Sequence, residues 1–227
     1  VEELDNLPCG PDRVRVRIWA SGVNYVDALF VQGKYQIKPP LPFVPGSEYA
    51  GVVDALGPGV TGLALGDQVA ALGGTGGFGT HAIVPAERKM PVPSGFDFEH
   101  AAAFMFTYGT SWHALMDRGA LQPGETVLVL GAAGGVGSSA VQIARAAGAR
   151  VIGAASTDEK CALARSLGAE ATINYRTEDI RDALKKLTDG KGPDVVYDPV
   201  GGDLAEPVLR SVAWRGRYLV IGFASGT

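Results

Sequence analysis

The stretch Thr126-Val-Leu-Val-Leu-Gly131-Ala-Ala-Gly134-Gly135-Val-Gly137 decides the fold. Val127 to Leu130 form a continuous apolar run, which suits a strand buried on both faces of a parallel sheet. Gly131 closes the run, and Ser138 to Ala147 reads as a helix with apolar spacing. Glycines fit such a junction mechanically. One permits the tight turn, one lets the backbone approach a pyrophosphate, and one lets helix and strand pack closely. The free N–H groups and the dipole of the helix N-terminus then favour phosphate. Ala133 stands where the usual Gly-x-Gly-x-x-Gly pattern has its second glycine. Glycine-rich turns also occur for structural reasons alone. The strand before, the helix after and a further strand over 150–155 make this one a dinucleotide site.

Outward from that turn the chain alternates. Strands are predicted near 126–131, 150–155, 170–174, 194–198 and 217–222, with helical stretches between them, which implies a parallel, doubly wound α/β sheet. Such a sheet normally has six strands, and the sequence supplies five before it stops at Thr227.

Upstream, Val14, Val16 and Ile18 alternate with Arg13, Arg15 and Arg17 in a half-buried strand with a solvated basic face. Ala28 to Gln32 reads as a short helix, with Asn24 as a good N-cap, and Lys38 to Pro45 as an extended loop. Tyr49–Leu56, Gln68–Leu72 and Thr80–Val84 are short strands separated by turn signals, the pattern of a small barrel or sandwich. Phe98–Phe106 and Thr107–Arg118 read as two helices, the second ended by Gly119. The shift in composition divides the chain into a β-rich domain, 1–106, and a nucleotide-binding domain, 107–227.

Composition narrows the classes. Of 227 residues 46% are hydrophobic and 19% charged, with a net charge of −4 and no cluster of Lys or Arg. This is the composition of a globular protein and argues against a nucleic-acid partner. No apolar run is long enough to span a bilayer. Two cysteines, Cys9 and Cys161, make neither a disulfide framework nor a four-cysteine zinc site. A cytoplasmic location is expected, with a mitochondrial one open should a targeting segment precede Val1.

The second strand ends Gly153-Ala-Ala-Ser156-Thr157, without the Asp or Glu that an NAD site places there to hold the ribose hydroxyls. Asp158 and Glu159 fall in the following helix start, where acids also serve the dipole. The small-residue tip leaves room for a 2′-phosphate, with Ser156 and Lys160 in reach. Taken alone, Lys160 is better read as an exposed helix lysine. The set points to NADPH.

Together Gly22-Val-Asn24-Tyr-Val-Asp27, Pro45-Gly-Ser47-Glu48, Gly66-Asp-Gln-Val, Gly109-Thr110-Ser-Trp-His-Ala, the Gly131–Gly137 turn, Asn174-Tyr175-Arg176 and Tyr197-Asp-Pro-Val-Gly201 carry a resemblance. The chain resembles the medium-chain dehydrogenase/reductase superfamily, and within it the zinc-independent quinone oxidoreductase (zeta-crystallin) family. The resemblance implies a GroES-like catalytic domain followed by a Rossmann domain, with the active site in the cleft between them. Zinc-dependent members carry a Cys at the position of Asn24, a His at that of Ser47 and a second Cys near Phe106, so no zinc is expected here.

The resemblance also implies roles. Asn24 lies near the nicotinamide carboxamide and Thr110 beside the cofactor. Gly131, Ala133, Gly134, Gly135, Val136 and Gly137 form the pyrophosphate turn. Ser156, Lys160 and Tyr175 form the 2′-phosphate pocket, and Gly222, Phe223 and Ser225 border the nicotinamide. Tyr35 matches a proton donor of related enoyl thioester reductases, its alternative being a loop aromatic packed on the barrel. Relative to the family, the chain lacks the first strand and everything after the fifth Rossmann strand, which in the family contributes to a dimer contact. The full-length protein is thus expected to be a homodimer.

The function expected is NADPH-dependent, metal-independent reduction of a small quinone or α,β-unsaturated carbonyl. Two alternatives stay open. One is an enoyl thioester reductase, with Arg88 and Lys89 either on a rim for a carrier phosphate or simply at the surface. The other is a non-catalytic, crystallin-like NADPH-binding protein.

Overall fold

A computed structural model describes residues 8–226 and divides the chain into two compact units, Val1–Phe106 and Thr107–Thr227. In the first unit the alternating run becomes β1 (Arg13–Gly22), with Val14 and Val16 fully buried and Arg13 and Arg17 exposed. β2 (Glu48–Leu56), β3 (Gln68–Leu72), β4 (His81–Pro85) and β5 (Lys89–Pro91) complete one antiparallel sheet in the order β4-β1-β2-β3-β5. Val14, Val16, Tyr49, Val53, Val69 and Val84 fill one core of this unit.

The helix expected from Ala28 starts earlier, as α1 (Tyr25–Val31), because Asn24 is its N-cap. The Asp27 carboxylate accepts the Asn24 N–H at 2.8 Å, one half of a capping box. The single helix expected over Phe98–Phe106 is interrupted. α2 (Phe98–Ala102) ends where Ala101 and Ala102 become fully buried, and α3 (Met105–Trp112) restarts with its Phe106 N–H donated to the Glu48 carboxylate. That tertiary acceptor fixes a new helix start. The last part of the expected Thr107–Arg118 helix is also different: His113–Arg118 is a π-helical turn, closed by Gly119 N–H to Ala114 C=O at 2.7 Å.

The second unit contains β6 (Thr126–Leu130), α4 (Gly135–Ala146), β7 (Arg150–Ala155), α5 (Asp158–Leu167), β8 (Ala171–Asn174), α6 (Ile180–Leu187), β9 (Val195–Asp198), α7 (Ala205–Leu209) and β10 (Arg217–Val220). The sheet is parallel, in the order β10-β9-β6-β7-β8. Counted within the unit this is 3-2-1-4-5 read from β8, the Rossmann order, whose ligand crevice opens at the carboxyl ends where the order reverses, between β6 and β9. The apolar run feeds both faces. Val127 and Val129 join one core cluster, Leu128 and Leu130 the other, and all four are fully buried.

Candidate functional site

The turn between β6 and α4 is built from its glycines. Gly131 has φ +59°, a region that costs a side-chain-bearing residue energy, and its C=O accepts the Gly134 N–H at 2.8 Å. A Cβ on Gly137 would lie 2.1 Å from the Gly131 carbonyl oxygen, so helix and strand approach more closely there than any side chain allows. Ala133 is a partly buried turn residue between them. The expected helix start at Ser138 is corrected to Gly135, with Gly134 as N-cap. Gly134 and Gly135 are exposed, and the first-turn N–H groups of Gly135, Val136 and Gly137 have no acceptor within the helix. Such free N–H groups at a helix N-terminus suit an anion.

A hydroxyl cluster under the turn was not legible in the sequence. Ser111 Oγ lies 2.9 Å from the Val136 carbonyl, 2.8 Å from Ser139 Oγ and 2.8 Å from the Tyr197 hydroxyl. Ser139 Oγ in turn donates to the Thr107 carbonyl at 3.0 Å. Burial pushes the Tyr197 phenol up to about 12, the Ser111 bond pulling it back, so it remains a proton donor. The cluster ties α3, which carries Thr110, to the first turn of α4 and to β9.

Beyond β7, Lys160 Nζ lies 3.4 Å from Ser156 Oγ, and the Tyr175 N–H donates to the Ala155 carbonyl at 3.1 Å. The three candidate 2′-phosphate residues thus gather at the carboxyl ends of β7 and β8. Both acids of the α5 first turn have partners of their own. Asp158 accepts the Asn174 amide at 2.8 Å, and the Thr157 hydroxyl helps hold the Glu159 carboxyl below its ordinary value.

The loop after β10 is fastened to the loop after β9. Ser225 N–H donates to Val200 C=O at 2.8 Å, and Gly202 N–H to Gly226 C=O at 2.9 Å. Asp198 anchors the pair, accepting the N–H groups of Val200 and Gly201 at 2.7 and 2.9 Å and the Tyr218 hydroxyl at 2.7 Å. Burial and this carboxylate push the Tyr218 phenol well above its ordinary range. Gly222 is partly buried on that loop, while Phe223 and Ser225 are exposed.

Asn24 and Tyr35 belong to the first unit. The Tyr35 ring packs on Phe30 of α1, centroids 4.8 Å apart at 59°. Asn24 is held from both ends by the start of β2. Asp27 bridges the N–H groups of Asn24 and Ser47 at 2.8 and 2.9 Å, and the Asn24 side-chain amide donates to Glu48 Oε2 at 3.3 Å. Glu48 is fully buried and its other oxygen accepts the Phe106 N–H at 2.8 Å. Burial raises its carboxyl above the ordinary value, and the Phe106 and Asn24 donors pull it back. Sequence reasoning passed over Glu48 as a site residue. The available signal was a charge opening an otherwise apolar strand.

At the three positions where zinc-dependent relatives carry ligands, the chain offers the Asn24 amide, a Ser47 hydroxyl and the Phe106 ring. Ser47 Oγ is buried without a partner among the described residues. Among those residues no group of three or more His, Cys, Asp or Glu is arranged to hold a metal ion. This donor set does not fit a catalytic zinc.

Two family profiles match the chain: an alcohol dehydrogenase GroES-like domain over residues 10–94 and a zinc-binding dehydrogenase over 135–227. The Escherichia coli quinone oxidoreductase solved in complex with NADPH has a TM-score of 0.91 and 35% identity, covering 99% of this chain and 69% of that one. The chain belongs to the quinone oxidoreductase family of medium-chain dehydrogenases/reductases. Quinone oxidoreductase-like protein 2 homolog of Nematostella vectensis is 44% identical over 219 residues, 96% of this chain and 60% of the relative. This quinone oxidoreductase family chain therefore spans about 60% of the length of that curated relative. The CurK enoyl reductase is similar too, with a TM-score of 0.89 and 30% identity over 96% of this chain and 68% of its own. Among the described residues no helix is long and apolar enough to cross a membrane.

Proposed function

We propose that this family member reduces a quinone or an α,β-unsaturated carbonyl with NADPH, without a metal. The observation that carries the reading is the end of β7: Ser156 and Lys160 side by side, Tyr175 tethered next to them, and the neighbouring acids engaged elsewhere. That arrangement suits a phosphate dianion and offers no free carboxylate to a ribose diol. The residues fit NADPH, which when bound supplies a hydride from the nicotinamide ring.

The chain's own groups bind and orient. The turn over Gly134, Gly135 and Val136 faces the pyrophosphate with the free N–H groups of Gly135 and Val136, Gly131, Ala133 and Gly137 shaping it, and Thr110 lies beside the cofactor. Gly222, Phe223 and Ser225 border the nicotinamide, and Asn24 holds its carboxamide. Tyr35 donates the proton that the enolate formed from an enone requires. A quinone is electron-poor enough to accept hydride without a Lewis acid, which accords with an amide and a hydroxyl where zinc ligands would stand.

The test is NADPH oxidation by the full chain with 1,4-benzoquinone and with a simple enone, each with and without a chelator. Turnover of at least one acceptor, unaffected by the chelator, is expected. NADPH binding with no oxidation by either would favour the non-catalytic reading, and chelator inactivation would overturn metal independence. The likeness to the CurK enoyl reductase supports a second reading, an enoyl thioester substrate. In that case, charge reversal at exposed Arg88 and partly buried Lys89 raises KM for a carrier-linked thioester and leaves the quinone KM unchanged.

A further inference from the structure

We propose that Glu48 is a positioning residue, setting the side-chain amide of Asn24 in the orientation that receives the nicotinamide carboxamide. The proposal rests on the assignment of Asn24 made above and names the group that makes it work.

Glu48 opens a strand whose next two residues, Tyr49 and Ala50, are fully buried, and it is itself fully buried, with no ion pair to a cation among the described residues. A carboxyl in that position is costly unless its oxygens are filled with donors. Backbone N–H groups fill it from one side, Phe106 at 2.8 Å on Oε1 with Met105 beside it, and the Asn24 amide reaches Oε2 at 3.3 Å from the other. The first lie in the opening turn of α3, where the helix dipole favours an acid. The second is a side chain, the only one bonded to this carboxyl among the described residues, and it is partly exposed.

The chain makes room for this acid. A Cβ on Gly22, two residues before Asn24, would lie 2.3 Å from the Ala102 carbonyl oxygen and 3.1 Å from Glu48 Oε2. Only glycine lets the strand pass there, so the Gly22-Val-Asn24 spacing brings Asn24 to the carboxyl. The backbone of Asn24 is fixed independently, through the Asp27 bridge to Ser47. Asp27 sets where Asn24 is and, through the capping box, faces its side-chain oxygen, while Glu48 takes its amide nitrogen.

An ionised carboxyl only accepts, so it selects the amide nitrogen of Asn24 and rejects its oxygen. The second amide hydrogen and a lone pair of the carbonyl oxygen stay available, a donor and an acceptor side by side. A carboxamide presents the complementary pair. In Glu48→Gln one oxygen serves either the Phe106 N–H or Asn24. With the oxygen on Phe106, the new NH₂ meets the Asn24 NH₂, and Asn24 turns over.

The chain has three asparagines, Asn6, Asn24 and Asn174, so ¹⁵N-asparagine labelling gives three side-chain amide pairs, with Asn174 an internal control. In the cofactor-free protein, E48Q is expected to shift the Asn24 pair and leave that of Asn174 in place. An unmoved Asn24 pair in a folded E48Q protein overturns the proposal. The second readout is the ratio of dissociation constants for 2′-phospho-ADP-ribose, which lacks nicotinamide, and NADPH. E48Q should reduce this ratio roughly tenfold, the upper size of one neutral hydrogen bond, with 2′-phospho-ADP-ribose affinity unchanged.

Asn24→Ala should do the same, and the double variant should lose no more than either. An equal further loss in the double variant means Glu48 acts on the fold and not through Asn24. A shifted Asn24 pair with unchanged ratios in both single variants removes Asn24 from the cofactor while leaving the contact standing. Should E48Q fail to fold, Asn24→Asp keeps the Glu48 bond to α3, sets carboxylate against carboxylate, and is expected to show the same loss.

Discussion

At the scale of one residue, Lys160 is the side chain proposed to carry the nucleotide preference. Its ammonium lies against Ser156 Oγ at 3.4 Å, and no carboxylate stands at the tip of β7. Lys160→Glu is expected to weaken NADPH binding by at least about tenfold, through one lost and one opposed charge, and to leave NADH within about threefold. Paired titrations of the two nucleotides check it. Tyr35→Phe is expected to depress enone reduction far more than quinone reduction, because the enolate is protonated at carbon by a positioned donor whereas the weakly basic hydroquinone anion takes its proton from water. Steady-state rates with both acceptors decide this, and equal losses would remove Tyr35 from the chemistry. Ser156 and Lys160 were legible in the sequence as neighbours because a strand end and a helix start place them by spacing, whereas Tyr175 was reached only through the resemblance to the family. Glu48 was not, since nothing local tells a buried carboxyl at a strand start from a solvated one. The Phe106 N–H that fills it lies 58 residues away.

At the scale of elements, the β6–α4 junction depends on the absence of a side chain at Gly137. Gly137→Ala would set a methyl 2.1 Å from the Gly131 carbonyl, so the helix must move off the strand. A loss of about 2–4 kcal/mol and weakened NADPH binding are expected, read from chemical denaturation and titration. A second element-level tie joins β10 to the start of β6. Arg217 holds Glu125 through two bonds of 2.7 and 2.6 Å, and this fork holds the Glu125 carboxyl below its ordinary value of 4.5. A carboxyl lowered on folding adds stability above its unfolded pKa and loses it as pH falls through the folded one. Glu125→Gln is therefore expected to cost about 1 kcal/mol at pH 7, the gap to the parent closing progressively below 4.5 in pH-dependent denaturation. Five parallel strands were legible from their regular alternation with helices, anchored by the uninterrupted apolar run of β6. The α2–α3 break and the π-helical turn were not, since a tertiary acceptor and a local change of hydrogen-bond register set them.

At the scale of the whole molecule, the strand order follows from alternation of strand and helix, and the two core clusters from a strand whose alternate residues face opposite layers. The β-rich unit was legible as short strands with turns, while β5 escaped because three residues carry no periodicity. In hydrogen–deuterium exchange NADPH is expected to protect 131–137, 156–160, 174–176 and 222–225 together. Protection confined to the glycine turn would separate the phosphate cradle from the rest of the proposed pocket.

The most direct measurement of the central claim is an equilibrium titration of the folded chain with NADPH and, separately, with NADH. Clearly tighter binding of NADPH is predicted, as Ser156, Lys160 and Tyr175 require. Preference for NADH, or equal affinity for the two, would contradict the reading of the end of β7 and with it the proposed cofactor.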